Sequence, residues 1–144
     1  MPFIGSTIPE GVSSPRLKTA RGEYNFALDG GAVGTIALMG AANIPLGATI
    51  IGGWIEVQTQ LTSGGAATIA VQVEGAGDIV AATAVATWTT GLKKIVPGLT
   101  AAADLSASAA LRTTAARDIS IVIAAFALTA GKLSVCLLYT DPLA

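Results

Sequence analysis

The stretch Thr49 to Glu74, TIIGGWIEVQTQLTSGGAATIAVQVE, carries a two-residue period through both of its halves, and that period restricts what the chain can become. In the first half Ile51, Gly53, Ile55, Val57, Thr59 and Leu61 fall on one side and Trp54, Glu56, Gln58 and Gln60 on the other, the alternation of a strand with one face in a core. In the second half Ile69, Val71 and Val73 point inward while Thr68, Gln72 and Glu74 point outward. The link Thr62-Ser63-Gly64-Gly65-Ala66 supplies the glycines that a short loop needs for positive φ, so the whole stretch reads as a β-hairpin.

Similar signals recur along the chain. Tyr24, Phe26 and Leu28 alternate with Glu23, Asn25 and Asp29 in a strand that stops at Gly30-Gly31, and another strand follows over Val33 to Met39. Ile79 to Thr90 is rich in β-branched residues and holds Trp88, and it reads as one strand bent or broken in the middle. Lys93 to Val96 is short and exposed and ends at Pro97-Gly98, and Ala101 to Arg112, helix-capable by propensity, is read as strand because Leu105, Ala107, Ala109 and Leu111 keep period two. Asp118 to Leu128 and Lys132 to Thr140 read as a second hairpin around Thr129-Ala130-Gly131. Both of its strands are apolar on both sides, Ile119, Ile121 and Ile123 against Val122, Ala124 and Phe126, and a strand of that kind is covered twice. About eight short strands with Gly/Pro turns and no long helix predict an all-β chain, an antiparallel β-sandwich of jelly-roll type, as a single domain over residues 23–144. Residues 1–22 differ: Pro2, Pro9 and Pro15 with Gly5, Gly11 and Gly22 break any regular element, so they form an extended N-terminal arm. Arg16, Lys18 and Arg21 against Glu10 give the arm a formal +2, and the three cations make it a candidate docking segment for a partner.

Composition narrows the function. The 144 residues include no histidine, which removes the commonest general base and metal ligand, and a single cysteine, Cys136, which excludes an internal disulfide framework and a cysteine-based zinc site. Glu56 and Glu74 could face each other across the central hairpin as an acid pair, yet solvated charges on the polar face of a hairpin account for them without chemistry. Neither a phosphate loop nor a calcium loop is present. No cofactor and no small-molecule substrate is expected. The net charge of −1 argues against nucleic acid, and Asn43, Pro45 and many glycines interrupt the charge-free run from Gly30 to Ile55 that would otherwise raise the question of a membrane span. The N-terminus lacks the basic start and unbroken apolar core of a secretory signal, so synthesis in a cytosol is expected.

The chain is 52% hydrophobic but only 12% charged, about half the usual charged share. Such a chain has little with which to cover its outside, and contiguous apolar surface marks a partner. Val122, Phe126 and Leu138 lie on the outer side of their strands and are the expected interface of a homo-oligomer, most simply a trimer. Trp54 stands on the polar side of the central strand as an exposed aromatic contact.

The runs Ile44 to Val85 and Leu128 to Thr140 resemble small β-rich structural proteins of tailed bacteriophages, above all the head decoration, or cement, proteins. That resemblance covers most of the body and implies a jelly-roll-like subunit that trimerises on the outer surface of a capsid, ties neighbouring major capsid proteins together and has neither cofactor nor catalysis. A tail or head-to-tail component shares the same texture. The reading from another class is a carbohydrate-binding β-sandwich with Trp54, Trp88 and Tyr24 as stacking platforms.

Overall fold

The computed structural model describes residues 17–38, 44–75, 77–95 and 111–140. They form two antiparallel sheets. The first contains β1 (Leu17–Asn25), β9 (Leu128–Thr140), β3 (Thr49–Ser63) and β6 (Gly91–Ile95) in that order, with the short β7 (Leu111–Arg112) against the start of β3. The second contains β2 (Gly34–Ala37), β8 (Ser120–Ala124), β4 (Thr68–Gln72) and β5 (Val80–Ala84). Apart from the β4–β5 hairpin and the step from β6 to β7, each strand passes to the opposite sheet from the one before it. That winding is the eight-stranded, double Greek-key order of a jelly roll, and β7 is an addition to it.

Alternation explains why the sheets face each other. Ile55, Val57 and Leu61 of β3 and Leu133, Val135 and Leu137 of β9 meet Ile69 and Val71 of β4 and Ile121 and Ile123 of β8 in one core, all at 2% exposure or less. Burying side chains of that size removes about 1.5–3 kcal/mol of apolar exposure each.

Three expectations about the strands change. First, neither predicted hairpin is a hairpin: β3 pairs with β9, β6 and β7 while β4 pairs with β8 and β5, and β8 and β9 lie in different sheets. Both links are arches that carry the chain across the core. A two-residue period says which side chains face inward, but two amphipathic strands satisfy it equally side by side or face to face. Second, Ile51 is not inward. Ile50 pairs with Tyr139 and Gly52 with Leu138, so Ile51 is the extra residue of a β-bulge; Ile50 is fully buried and Ile51 is half exposed. Gly53, at φ 154°, lies so close to the Cys136 carbonyl that any Cβ there would overlap it, which is why this strand carries glycine beside its bulge. Third, residues 17–22, expected as the end of the arm, belong to β1 and pair in register from Leu17 opposite Thr140 to Gly22 opposite Val135.

Smaller differences have local causes. Phe26 and Leu28 sit in a helical turn, α1 (Phe26–Asp29), because the Asn25 side chain accepts from the Ala27 N–H at 3.0 Å and the Asp29 carboxylate accepts from the Asn25 N–H at 2.9 Å. The strand expected over residues 79–90 ends at Ala84, and a 3₁₀ turn over Val85–Thr87 follows. Of the strand expected over residues 101–112, Leu111 and Arg112 form β7 and residues 101–110 lie outside the described residues.

At the end of the sandwich where β3 begins, Thr113 is 2% exposed and its hydroxyl donates to the Pro45 carbonyl at 2.6 Å while accepting from the Ala48 N–H at 3.0 Å. Nearby, the Asp78 carboxylate accepts from the N–H groups of Val73, Glu74 and Gly75 at 2.8–3.1 Å and fixes the β4–β5 turn.

Candidate interaction surfaces

The register sorts the outward side chains of the first sheet into rows. Arg21, Cys136, Trp54 and Lys94 stand abreast across β1, β9, β3 and β6, and Glu23, Ser134, Glu56 and Leu92 form the next row. On the other side of the tryptophan row lie Thr19, Leu138 and Gly52, and beyond them Leu17, Thr140, Thr49 and Arg112. The face is thus amphipathic in a particular way: Trp54, 42% exposed, has a cation at each end of its own row and two carboxylates in the row beside it. Arg21 reaches Glu23 at 3.5 Å, but with both side chains largely in water this pair contributes at most about 1 kcal/mol. Ile51, Leu17 and Leu92 add exposed apolar area to the same face.

The outward face of the second sheet has a different chemistry. Its rows are Thr35, Val122, Ala70; Ala37, Ser120, Gln72; and Ala124, Thr68, Ala84. None of the nine is charged and none is larger than glutamine.

These rows separate the residues expected to form one oligomer interface. Val122 is on the outer face of the second sheet, Leu138 is on the outer face of the first, and Phe126 lies at the end of the sandwich in the β8–β9 arch, where its ring packs on Gly65 and remains half exposed. The second sandwich face and the end reached by Phe126, with exposed Leu28 and Val33 in the β1–β2 link, are distinct surfaces. The docking cations also divide: Lys18 and Arg21 are strand residues of β1, and Arg16 lies outside the described residues.

The carbohydrate reading loses its platform. Tyr24 is fully buried and Trp88 is 3% exposed, so neither can stack a sugar beside Trp54. The Tyr24 hydroxyl donates to the Gly30 carbonyl at 2.7 Å, and burial together with the Asp29 charge pushes its pKa up to about 12. The proposed acid pair also dissolves, because Glu56 is on the first sheet and Glu74 follows β4 of the second. Glu74 instead accepts from the Thr114 N–H at 2.7 Å and hydroxyl at 2.6 Å and from Arg117 at 3.2 Å. The Thr114 hydroxyl, its amide and then Arg117 hold the Glu74 carboxyl below the ordinary glutamate value. Burial raises the Cys136 thiol, with the opposing effect of Arg21 smaller, so it is a poor nucleophile. Among the described residues no group of acidic, cysteine or histidine side chains could hold a metal, and no helix is long and apolar enough to cross a membrane.

The chain is similar to solved structures from phage heads. The likeness is one of fold. A chain from the capsid asymmetric unit of cyanophage Pam1 superposes with a TM-score of 0.60 at 20% identity, covering 94% of this chain and 92% of that one. A chain from the capsid of Ralstonia phage GP4 gives 0.62 at 18%, covering 96% and 91%, and one from the acid-stable capsid of Helicobacter pylori bacteriophage KHP30 gives 0.51 at 16%, covering 88% of each. No protein-family model matches the sequence, and no curated protein is significantly similar to it. Sequence reasoning had named Trp54 but missed its row partner Lys94 and the charge-free face; the absence of charge at the alternate positions of β4 and β8 was the available signal for the latter.

Proposed function

We propose that the protein is a structural component of a bacteriophage head, a decoration or cement protein that binds the outer surface of the shell as a homotrimer and stabilises contacts between major capsid proteins. The observation that carries this reading is the match of nearly the whole chain, 88–96%, to single chains in capsids of phages with three different hosts. The surfaces suit such work. A jelly roll offers flat faces rather than a cleft, and the Arg21–Trp54–Lys94 row supplies a tryptophan and an arginine, residue types enriched among the hot spots of protein interfaces. The N-terminal arm with Arg16 provides a second contact leading off Leu17, and three copies of each contact in a trimer gain avidity without new chemistry.

Co-sedimentation of the recombinant protein with shells stripped of it tests this. Saturable binding that Trp54→Ala weakens at least about tenfold, as loss of an aromatic hot spot does, supports the reading. Absence of sedimentation with any shell form overturns it.

A further inference from the structure

The four edge strands of the sandwich are not alike. In the first sheet β1 carries Lys18, Arg21 and Glu23, and β6 carries Lys93 and Lys94 within five residues. Charges on edge strands, lysine above all, are how sheets avoid pairing with other chains. In the second sheet β2 is Gly-Thr-Ile-Ala and β5 is Val-Ala-Ala-Thr-Ala, with no charge and no proline, and Thr35, Ala37, Ala81, Ala82 and Ala84 are exposed. Among the described residues β2 hydrogen-bonds only to β8 and β5 only to β4. Both unguarded edges therefore belong to one sheet, and it is the sheet whose outer face is also free of charge.

Strand direction adds a constraint. Three antiparallel steps separate β2 from β5, so the two edges run in opposite senses. When a second copy lies beside the first in the same orientation, β5 of one meets β2 of the next antiparallel, the better hydrogen-bonded arrangement. Pairing of β5 with β5 about a twofold axis is also antiparallel, but it would leave both β2 edges bare. The head-to-tail contact uses both edges of every copy through one repeated interface, and where its rotation closes it makes a ring.

We propose that copies of this chain join by pairing the β5 edge of one with the β2 edge of the next, making the second sheet continuous around the oligomer. The proposal rests on the reading of the chain as a homo-oligomer and is independent of attachment to a shell. It leaves the tryptophan face free for a different partner.

The test uses Thr35→Lys to block β2 and Ala82→Lys to block β5, both at exposed positions where the fold is retained, which circular dichroism and melting check. In sedimentation velocity the wild type should be a closed oligomer, each variant alone should lose that species, and an equimolar mixture should form a heterodimer and stop, because one good edge of each kind remains. A Thr35→Lys protein that stays dimeric, or a mixture that forms no heterodimer, overturns the head-to-tail contact. A wild-type oligomer untouched by both substitutions overturns the edge assignment alone, whereas a monomeric wild type overturns the oligomer as well. Hydrogen exchange on the wild type gives a readout that needs no variant: amides in residues 34–37 and 80–84 should exchange at least about tenfold more slowly at concentrations where the oligomer forms than after dilution. Unchanged exchange there, with the oligomer present, contradicts the proposal.

Discussion

Replacing Ile50 and Ile51 by alanine, one at a time, probes the bulge in β3 with the same chemical change at adjacent positions. Ile50 is fully buried opposite Tyr139, and Ile51 is half exposed. Truncating Ile50 removes three carbons from the core, about 2.4 kcal/mol at roughly 0.8 kcal/mol per buried methylene, and the cavity left behind brings the expected loss to about 2–5 kcal/mol. A domain's whole stability is about 5–15 kcal/mol, so this is a large share. For a chain of this length each kcal/mol lowers the melting temperature by roughly 4 °C, which puts Ile50→Ala about 8–20 °C below the wild type. Ile51→Ala removes a side chain already in water on one side and should change stability by no more than about 0.5 kcal/mol. Urea unfolding read by circular dichroism gives both numbers, provided the slope with denaturant is unchanged. Equal losses at the two positions, or the greater loss at Ile51, would show that β3 runs without the bulge and that the faces of its first half are reversed.

Thr113→Val should cost about 1–2 kcal/mol because it removes the hydroxyl that joins the Pro45 carbonyl to the Ala48 N–H and leaves those two groups only their longer mutual hydrogen bond at 3.3 Å, and Thr113→Ser should recover most of that in thermal melts. The Glu74 carboxyl titrates below its ordinary value in the folded chain, so its contribution is present above the ordinary value near 4.5 and is lost as pH falls through the lower folded value; Glu74→Gln should therefore show a smaller drop in melting temperature between neutral and acid pH than the wild type, and an equal drop would contradict the Thr114–Arg117 clasp. Deleting residues 1–16 should leave a cooperatively folding body, whereas deleting 1–22 removes the pairing of residues 17–22 with β9 and the buried Ala20 and should destabilise it markedly; equal melting temperatures for the two deletions would refute the placement of β1.

The strand faces were legible because alternation is a local property: Ile55, Val57, Leu61, Ile69, Val71, Ile121 and Ile123 were all read as inward and are all buried. Pairing was not legible, since the same alternation serves a hairpin or an arch, and both strong pairs of strands turned out to be arches between sheets. Ile51 was misplaced because a bulge shifts phase by one residue, and the adjacent Gly53, beside that shift, was counted as one more position of an unbroken alternation. The site was legible in part. Trp54 was found from its polar neighbours in sequence, but the cations that flank it come from β1 and β6, far away in the chain, so the row exists only in the register. The three-residue interface failed as a single patch for the same reason: Val122 and Leu138 are both outward, but outward from opposite sheets.

Absolute quantification of the proteins in purified virions tests the central proposal most directly. The proposal predicts that the chain is present in a fixed ratio to the major capsid protein and remains with the head fraction when heads and tails are separated. Absence from the virion, or presence in only a few copies that follow the tail, would contradict it.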